Sequence, residues 1–504
     1  MFNPTIETMT PGQIMRKAPF RRLQPSSDLS ALGTDLPLKP GDACGSLGYT
    51  YPTYADFMRE LSPSAHRIMS EAYYPDIIGY DETQKCYFTR KVARITTNLP
   101  QVFLSQRTSM LTGDNVDLKL ISGGSSMKNQ DLLAEFSEGW LYKDLEVALY
   151  NLIYDSFGCG DAAIAFYLDA GKVSYRNFSF PKGDVLYPHY NYMGRLCLVG
   201  RRYKSWENGE AVEYLDVFDD RKYMRYRSGK TGKDGTAGWT VDIEPVPHSF
   251  PMCPIAYYRR EDSVAGPAMN ALDNFDISMS QLFENNKQFA LRIFYALGAD
   301  VDIQASVDGR PMTVTSTDSN SKVGFLEPAE SSGSFEFQAR QLLAIAYQAA
   351  HCTQPVELKS GADISSLTVQ MMSKDSYHQA LLDAKDLQPA LNDAVELFKW
   401  GYSIEKGKTS KYANLMIKGT INPYIMRSEV EEVNNISILK GAGALPQKAA
   451  ANEAAKLGYG TPRNYEDILQ EEHDRLVLEQ GAEGPAPAAN PGVSVNESRN
   501  TEEE

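Results

Sequence analysis

Gly229-Lys230-Thr231 resembles the end of a phosphate-binding loop, in which backbone N–H groups and a lysine cradle phosphate oxygens. That chemistry needs a glycine five positions before Gly229, and Met224 stands there instead. The tripeptide also falls in a Gly/Lys-rich tip between two strand-like runs, so a solvated loop is expected. The histidines, His66, His189, His248, His351, His378 and His473, lie far apart, with no i,i+4 pair and no HExxH. Each reads as a surface or satisfied core histidine rather than a ligand or base. The six cysteines (Cys44, Cys86, Cys159, Cys197, Cys253, Cys352) form no CxxC pair, so neither a disulfide framework nor a zinc site is expected. A GxSxG elbow is absent too. A metal-dependent nuclease would need an Asp/Glu set at strand ends. Asp216, Asp219 and Asp220 are the nearest to one, and they read as a polar turn. The expectation is a protein with no catalytic residue, no metal and no cofactor.

What remains is the scaffold. The chain has 504 residues, long enough for several domains, and an apolar share of 42% that excludes global disorder. Its 29 Tyr and 20 Phe suit large buried surfaces within a core or between subunits. Fifty Lys+Arg against 65 Asp+Glu give a net charge of −15. Affinity for phosphates through counterion release needs a basic face, so tight DNA binding by the bulk surface is not expected. No run of about 18 apolar residues occurs, and the first 21 residues lack a signal-peptide core. A soluble protein of a reducing cytosol, without membrane contact, is expected.

Residues 1–53, rich in Pro, Gly and Ser with cations at Lys17, Arg21 and Arg22, read as an extended arm. Helical spacing begins at Tyr54–Tyr74. A second apolar series, Val92, Ile95, Leu99, Val102 and Phe103, is interrupted by Pro100, so its helix is short, kinked or delayed. Leu132–Tyr154 is helical again and ends at Gly158-Cys159-Gly160. Ala162–Tyr258 reads as a mostly antiparallel β region, with turns at Asp169-Ala170-Gly171 and Asn208-Gly209. Ala268–Leu297 reads as one helix of about 45 Å if continuous, closed by Gly298. A polar insert, Asp300–Gly333, precedes a helix at Phe335–Cys352 and a Pro- and Gly-containing loop at Gln354–Ser366. Leu367–Ile404 is helical and bent at Pro389. Ser428-Glu429-Val430-Glu431 is a capping box whose helix presents Val430, Val433, Ile436 and Leu439 and closes at Gly441. Further helices are expected at Gln447–Leu457 and Tyr465–Leu476, and the acidic residues from 480 to 504 should be disordered. Two long helices flanking a small insert make a stalk that buries its apolar stripes best against other copies; Leu282 and Phe289 are the interface candidates.

From about Arg94 to Leu476 the sequence resembles the portal, or head–tail connector, proteins of long-tailed double-stranded DNA bacteriophages. Five stretches carry the likeness: Arg94-Ile-Thr-Thr-Asn98 with Leu111-Thr-Gly113; Pro254-Ile-Ala-Tyr-Tyr258 with Leu272-Asp-Asn-Phe-Asp276 and Ser278; Phe325-Leu-Glu-Pro328; Ser360-Gly-Ala-Asp-Ile-Ser365; and Asn422-Pro423 through Gly443-Ala-Leu445 to Glu471-Glu472. The resemblance implies an α+β portal-type fold. Its parts are a mixed wing (54–267, with the kinked helix 367–412), a helical stem (268–299 and 334–353), a small α/β clip (300–333), a tunnel loop (354–366) and a helical crown (413–479). It implies a homo-oligomeric ring, typically dodecameric, at the capsid vertex of the virion, assembled in the host cytoplasm. Double-stranded DNA would pass through it, driven by the terminase large subunit. A head-completion adaptor and the major capsid and scaffolding proteins would be its other partners. Lys359, Ser360, Gly361 and Asp363 in the loop, with Lys287 and Arg292 on the stem, are the DNA-channel candidates. An acidic lumen with few cations would let the duplex slide, though the same three cations fit inter-subunit salt bridges equally well. The readings weighed against this are another structural head protein, an adaptor or capsid subunit, and a DNA-processing enzyme.

Overall fold

A computed structural model describes residues 4–23, 49–81, 85–122, 127–229, 238–290, 293–297, 299–302, 313–316, 322–326, 332–355, 371–424, 429–445, 450 and 453–454. The chain divides into two units, Met1–Ile425 and Met426–Glu504. Helix and antiparallel sheet mix in the first, as an α+β chain should.

The first unit is built on the helix Lys374–Glu405, which runs through Pro389. Ala380, Leu387, Leu391, Ala394, Val395 and Phe398 are all buried along it. Against it pack the helices Leu99–Thr112, Met127–Tyr142 and Leu145–Cys159 and one face of a three-stranded sheet. Pro100 sits in the first turn of its helix, so the helix is delayed until Leu99 rather than kinked; a proline there removes only an N–H that has no intrahelical partner.

The β region comprises two antiparallel sheets. Asp161–Asp169 lies between Lys172–Ser179 and Ile255–Arg259 in the smaller one. The five-stranded sheet is ordered Trp239–Pro247, Lys222–Ser228, Glu210–Asp219, Leu196–Glu207, Val185–Tyr190. Asn208-Gly209 joins Glu207 to Glu210 with φ of 50° and 83°, the left-handed pair that a tight hairpin needs. The anticipated polar turn at Asp216–Asp220 is only partly one. Asp216 is a buried strand residue that accepts from Arg201 Nη1 at 3.1 Å, Arg225 Nε at 2.7 Å and the Tyr223 hydroxyl at 3.0 Å. Asp219 takes the Arg221 and Lys222 N–H groups and caps the turn.

The N-terminal arm is docked on this sheet through residues 6–15, and beyond them Phe20 packs on Tyr54 and Phe57. Ile6 and Ile14 are buried against Leu198, Leu215, Val217 and Met224. Its cations make internal pairs: Lys17 contacts Asp161, and Arg22 bridges Glu60 at 2.5 Å and Asp262 at 2.7 Å.

Two helices leave the core with small strand pairs between them. The first is Met269–Ala290, about 33 Å long. It does not reach Leu297, where the apolar periodicity would carry it. Ile293–Leu297 is instead a strand paired with Lys322–Leu326, and Ala299–Asp302 pairs with Thr313–Ser316. A short apolar run reads equally as helix or strand, and the β-branched and aromatic Ile293-Phe294-Tyr295 favour the strand. The second helix, Ser332–Ala349, returns to the core, where Ala346 and Tyr347 join Ala268 and Leu272.

In the second unit the helix Glu429–Gly441 is described. It runs through Gly441, and the left-handed residue follows at Gly443. On its expected apolar face Val433 and Leu439 are exposed and Ile436 is half-buried. The cap at Ser428, most of the helix expected at 447–457, and everything expected from 465 to 504 lie outside the described residues.

Candidate functional site: the helix pair and its polar mount

The helix Met269–Ala290 carries Asp276, Ser280 and Glu284 four residues apart, hence on one face. All three are buried. An extended segment, Val92–Asn98, lies along them in the opposite direction. Ala93 N donates to Glu284 Oε1 at 2.7 Å, Ile95 N to Ser280 Oγ at 2.9 Å, and Thr97 N to Asp276 Oδ1 at 3.2 Å. The match is metrical. Two residues of extended chain advance about 6.6 Å and four of helix about 6 Å. The helix side chains thus do for alternate N–H groups what a neighbouring strand would do. The Thr97 hydroxyl also donates to Asp276 Oδ1 at 3.0 Å, and the Ser280 hydroxyl donates to the Asp276 backbone carbonyl at 2.8 Å.

Below this ladder Asp273 meets His66 at 3.5 Å and contacts Arg67. Burial, with Arg67 adding to it, pulls the His66 imidazole below its usual range. Burial also pushes the Asp276 carboxyl up to about 6, against the hydrogen bonds from Thr97 that favour its charged form. The second helix is tied in where Gln338 donates to Ser278 Oγ at 3.2 Å. Phe283 (50%), Phe337 (65%) and Ile345 (51%) remain open on the pair.

The far end of the second helix is fixed to the core. Arg107 donates to the Ala350 carbonyl at 2.9 Å and, with Arg260, clasps the buried Asp383. Thr353 meets Ser376 at 3.0 Å and His351 meets Asp375 at 3.0 Å. The chain therefore leaves at 353 and returns by 373–376 through a pinned neck.

Of the residues chosen from sequence, Lys287 is exposed and Leu282 half-buried on the first helix. Phe289 is on the same helix, with its side chain outside the described residues. Arg292, Lys359, Ser360, Gly361 and Asp363 lie outside them, as do Lys230 and Thr231 of the glycine-lysine tip. The ladder residues Ser280 and Glu284 were missed. Their signal was the four-residue repeat of polar side chains inside an apolar helix. The structure also joins two stretches that carried the resemblance, Arg94–Asn98 and Leu272–Asp276, by docking one on the other.

Among the described residues no helix is long and apolar enough to cross a membrane, and no His/Cys/Asp/Glu group could hold a metal. No curated protein matches the sequence. A solved structure described as the neck of an empty GTA particle computed with C6 symmetry is similar at 12% identity and a TM-score of 0.38, over 71% of this chain and 90% of that one. The model of the phage portal protein family, SPP1 Gp6-like, matches residues 51–459. The helix pair with its strand insert, the pinned neck and the mixed sheet body are thus parts of a chain that belongs to the SPP1 Gp6-like family of phage portal proteins.

Proposed function

We propose that twelve copies of this chain close into a ring at the capsid vertex and form the channel through which double-stranded DNA is packaged and later ejected. The observation that carries the reading is the helix pair Met269–Ala290 and Ser332–Ala349, joined through paired strands and left with Phe283, Phe337 and Ile345 uncovered. Such a stalk completes its burial against copies of itself. In the ring these helices are the stem, residues 300–333 the clip, residues 354–366 the tunnel loop and residues 413–479 the crown. Lys287, Arg292 and Lys359 are its scarce channel cations. Lys359 in the loop touches phosphates weakly, without the bidentate grip of an arginine, and so lets the duplex slide. The chain does no chemistry of its own. A terminase large subunit drives the DNA, a head-completion adaptor docks on the clip, and capsid and scaffolding proteins surround the wing.

Negative-stain images of the purified chain test this. Rings of uniform size with a central hole are expected; a monomer at every concentration, or closed shells, would overturn it.

A further inference from the structure

We infer that residues 6–22 are a clasp: they tie the five-stranded sheet to the rest of the first unit, and opening them frees that sheet to move as one piece. The inference concerns the single chain and stands apart from the ring reading above.

Successive strand residues face opposite sides of a sheet, and the arm takes one side of this one. The other side shares a small core with the three-stranded sheet, where Leu186 and Val199 meet Ala163, Ala165, Phe178 and Ile255. The arm's side carries Leu198, Leu215, Val217 and Met224, with Ile6 and Ile14 packed on them. Ile14 lies so close over Gly200 that a β-carbon there would stand 2.6 Å from Ile14 Cγ2. Ile6 N donates to Asp219 Oδ2 at 3.2 Å, and the Ile14 carbonyl meets His189 Nε2 at 2.7 Å. This end of the arm is thus seated across the sheet.

Beyond Met15 the chain crosses to the body. A cavity of about 440 Å³ opens there, lined by Gln13, Arg16 and Lys17 of the arm and His189 of the sheet edge. The crossing is therefore a bridge rather than a packed layer. On the body side Lys17 contacts Asp161 and the Tyr54 hydroxyl, with its ammonium 4.8 Å from the centre of the Phe20 ring. The Tyr54 and Tyr257 hydroxyls also donate to Asp161, each at 2.7 Å. Arg259 donates to the Ala18 and Pro19 carbonyls at 3.0 and 2.9 Å, and Phe20 packs on Tyr54 and Phe57 of the helix Tyr54–Leu61. None of these body-side partners belongs to the five-stranded sheet.

One end of the arm grips the sheet by apolar contact, and the other grips the body mainly through polar groups. The sheet is stiff in itself. Its strands Leu196–Glu207 and Glu210–Asp219 pair without a break from Leu198 and Asp219 to Glu207 and Glu210, and Asp216 ties Arg201, Arg225 and Tyr223 across three strands. A stiff sheet resting on a small shared core and strapped over its opposite side moves as a unit when the strap opens.

The test uses the full chain and opens the clasp from either end. Ile14→Ser removes the apolar anchor on the sheet, and Lys17→Met removes the ammonium beside Asp161. Both leave the sequences of the two sheets intact. Nitroxides on non-natural residues at the exposed positions 138 and 210 report the distance from body to sheet, and a pair at 193 and 210 reports on the sheet alone. Each variant should widen the 138–210 distance distribution at least about twofold, with the 193–210 distribution and the far-ultraviolet dichroism unchanged. A common response to changes at opposite ends is what a clasp requires, whereas local packing alone would confine each effect to its own end. An unchanged 138–210 distribution in either variant would overturn the clasp. Widening of the 193–210 pair would overturn it too, because the sheet would then be fraying instead of moving whole.

Discussion

The two longest described helices are positioned in opposite ways. Lys374–Glu405 is buried by apolar contacts on several sides and is pinned by ion pairs, the most buried being Asp383 between Arg107 and Arg260, with Glu405 held by Lys143. Met269–Ala290 is placed by hydrogen bonds to an extended segment and keeps an apolar flank bare. Burial gives a helix whose place depends only on its own chain. A polar ladder fixes position without consuming apolar surface, which stays available to a neighbour. A ring subunit needs both: a core that folds alone and a stem completed by its copies.

The largest effect should come from the first helix. Asp383→Ala leaves the buried Arg107 and the half-buried Arg260 guanidinium groups without their carboxylate and should cost about 3–5 kcal/mol in urea unfolding of the monomer. A loss below about 1 kcal/mol would show that the core does not depend on this carboxylate.

The second effect distinguishes the ladder by pH. In the folded chain Asp276 titrates near 6, pushed up by burial, whereas an exposed aspartate titrates near 4. Between these values the folded state holds a proton that the unfolded chain has released. Wild-type stability should therefore fall as pH rises from about 4 to about 6, by an amount on the order of 2–3 kcal/mol, and then level off. Asp276→Asn keeps an acceptor for Thr97 and should lack that component. His66 opposes the trend, and because its Nδ1 lies 4.0 Å from Asp276 Oδ2 its contribution differs between the two chains, so His66→Gln is made in both for the comparison. Parallel urea midpoints for the two chains across this range would count against a buried Asp276.

Ser280→Ala should give the smallest change. It leaves the Ile95 N–H without its acceptor and should cost about 1–3 kcal/mol. Hydrogen exchange should quicken at Ile95 and its neighbours but not in Lys374–Glu405. Uniform acceleration would mean that the two regions are not held independently.

Much of this was legible in the sequence. Asn208-Gly209 sets its hairpin because few residues other than these adopt left-handed backbone. Pro100 fixes where its helix can begin, and the apolar stripe from Ala380 to Phe398 announces a core helix. The resemblance pointed to the portal family to which the chain belongs. Other features depended on partners far away in the chain. Whether Ile293–Leu297 is helix or strand turns on Lys322–Leu326, some thirty residues on, because an apolar run of that length satisfies either period. Lys17 and Arg22 read as cations of an extended arm until Asp161, Glu60 and Asp262 are brought beside them. Asp276, Ser280 and Glu284 look like polar interruptions of an apolar stripe until the 92–98 segment supplies N–H groups at the matching pitch. Local spacing determines which face a side chain occupies, but only the tertiary fold decides what that face meets.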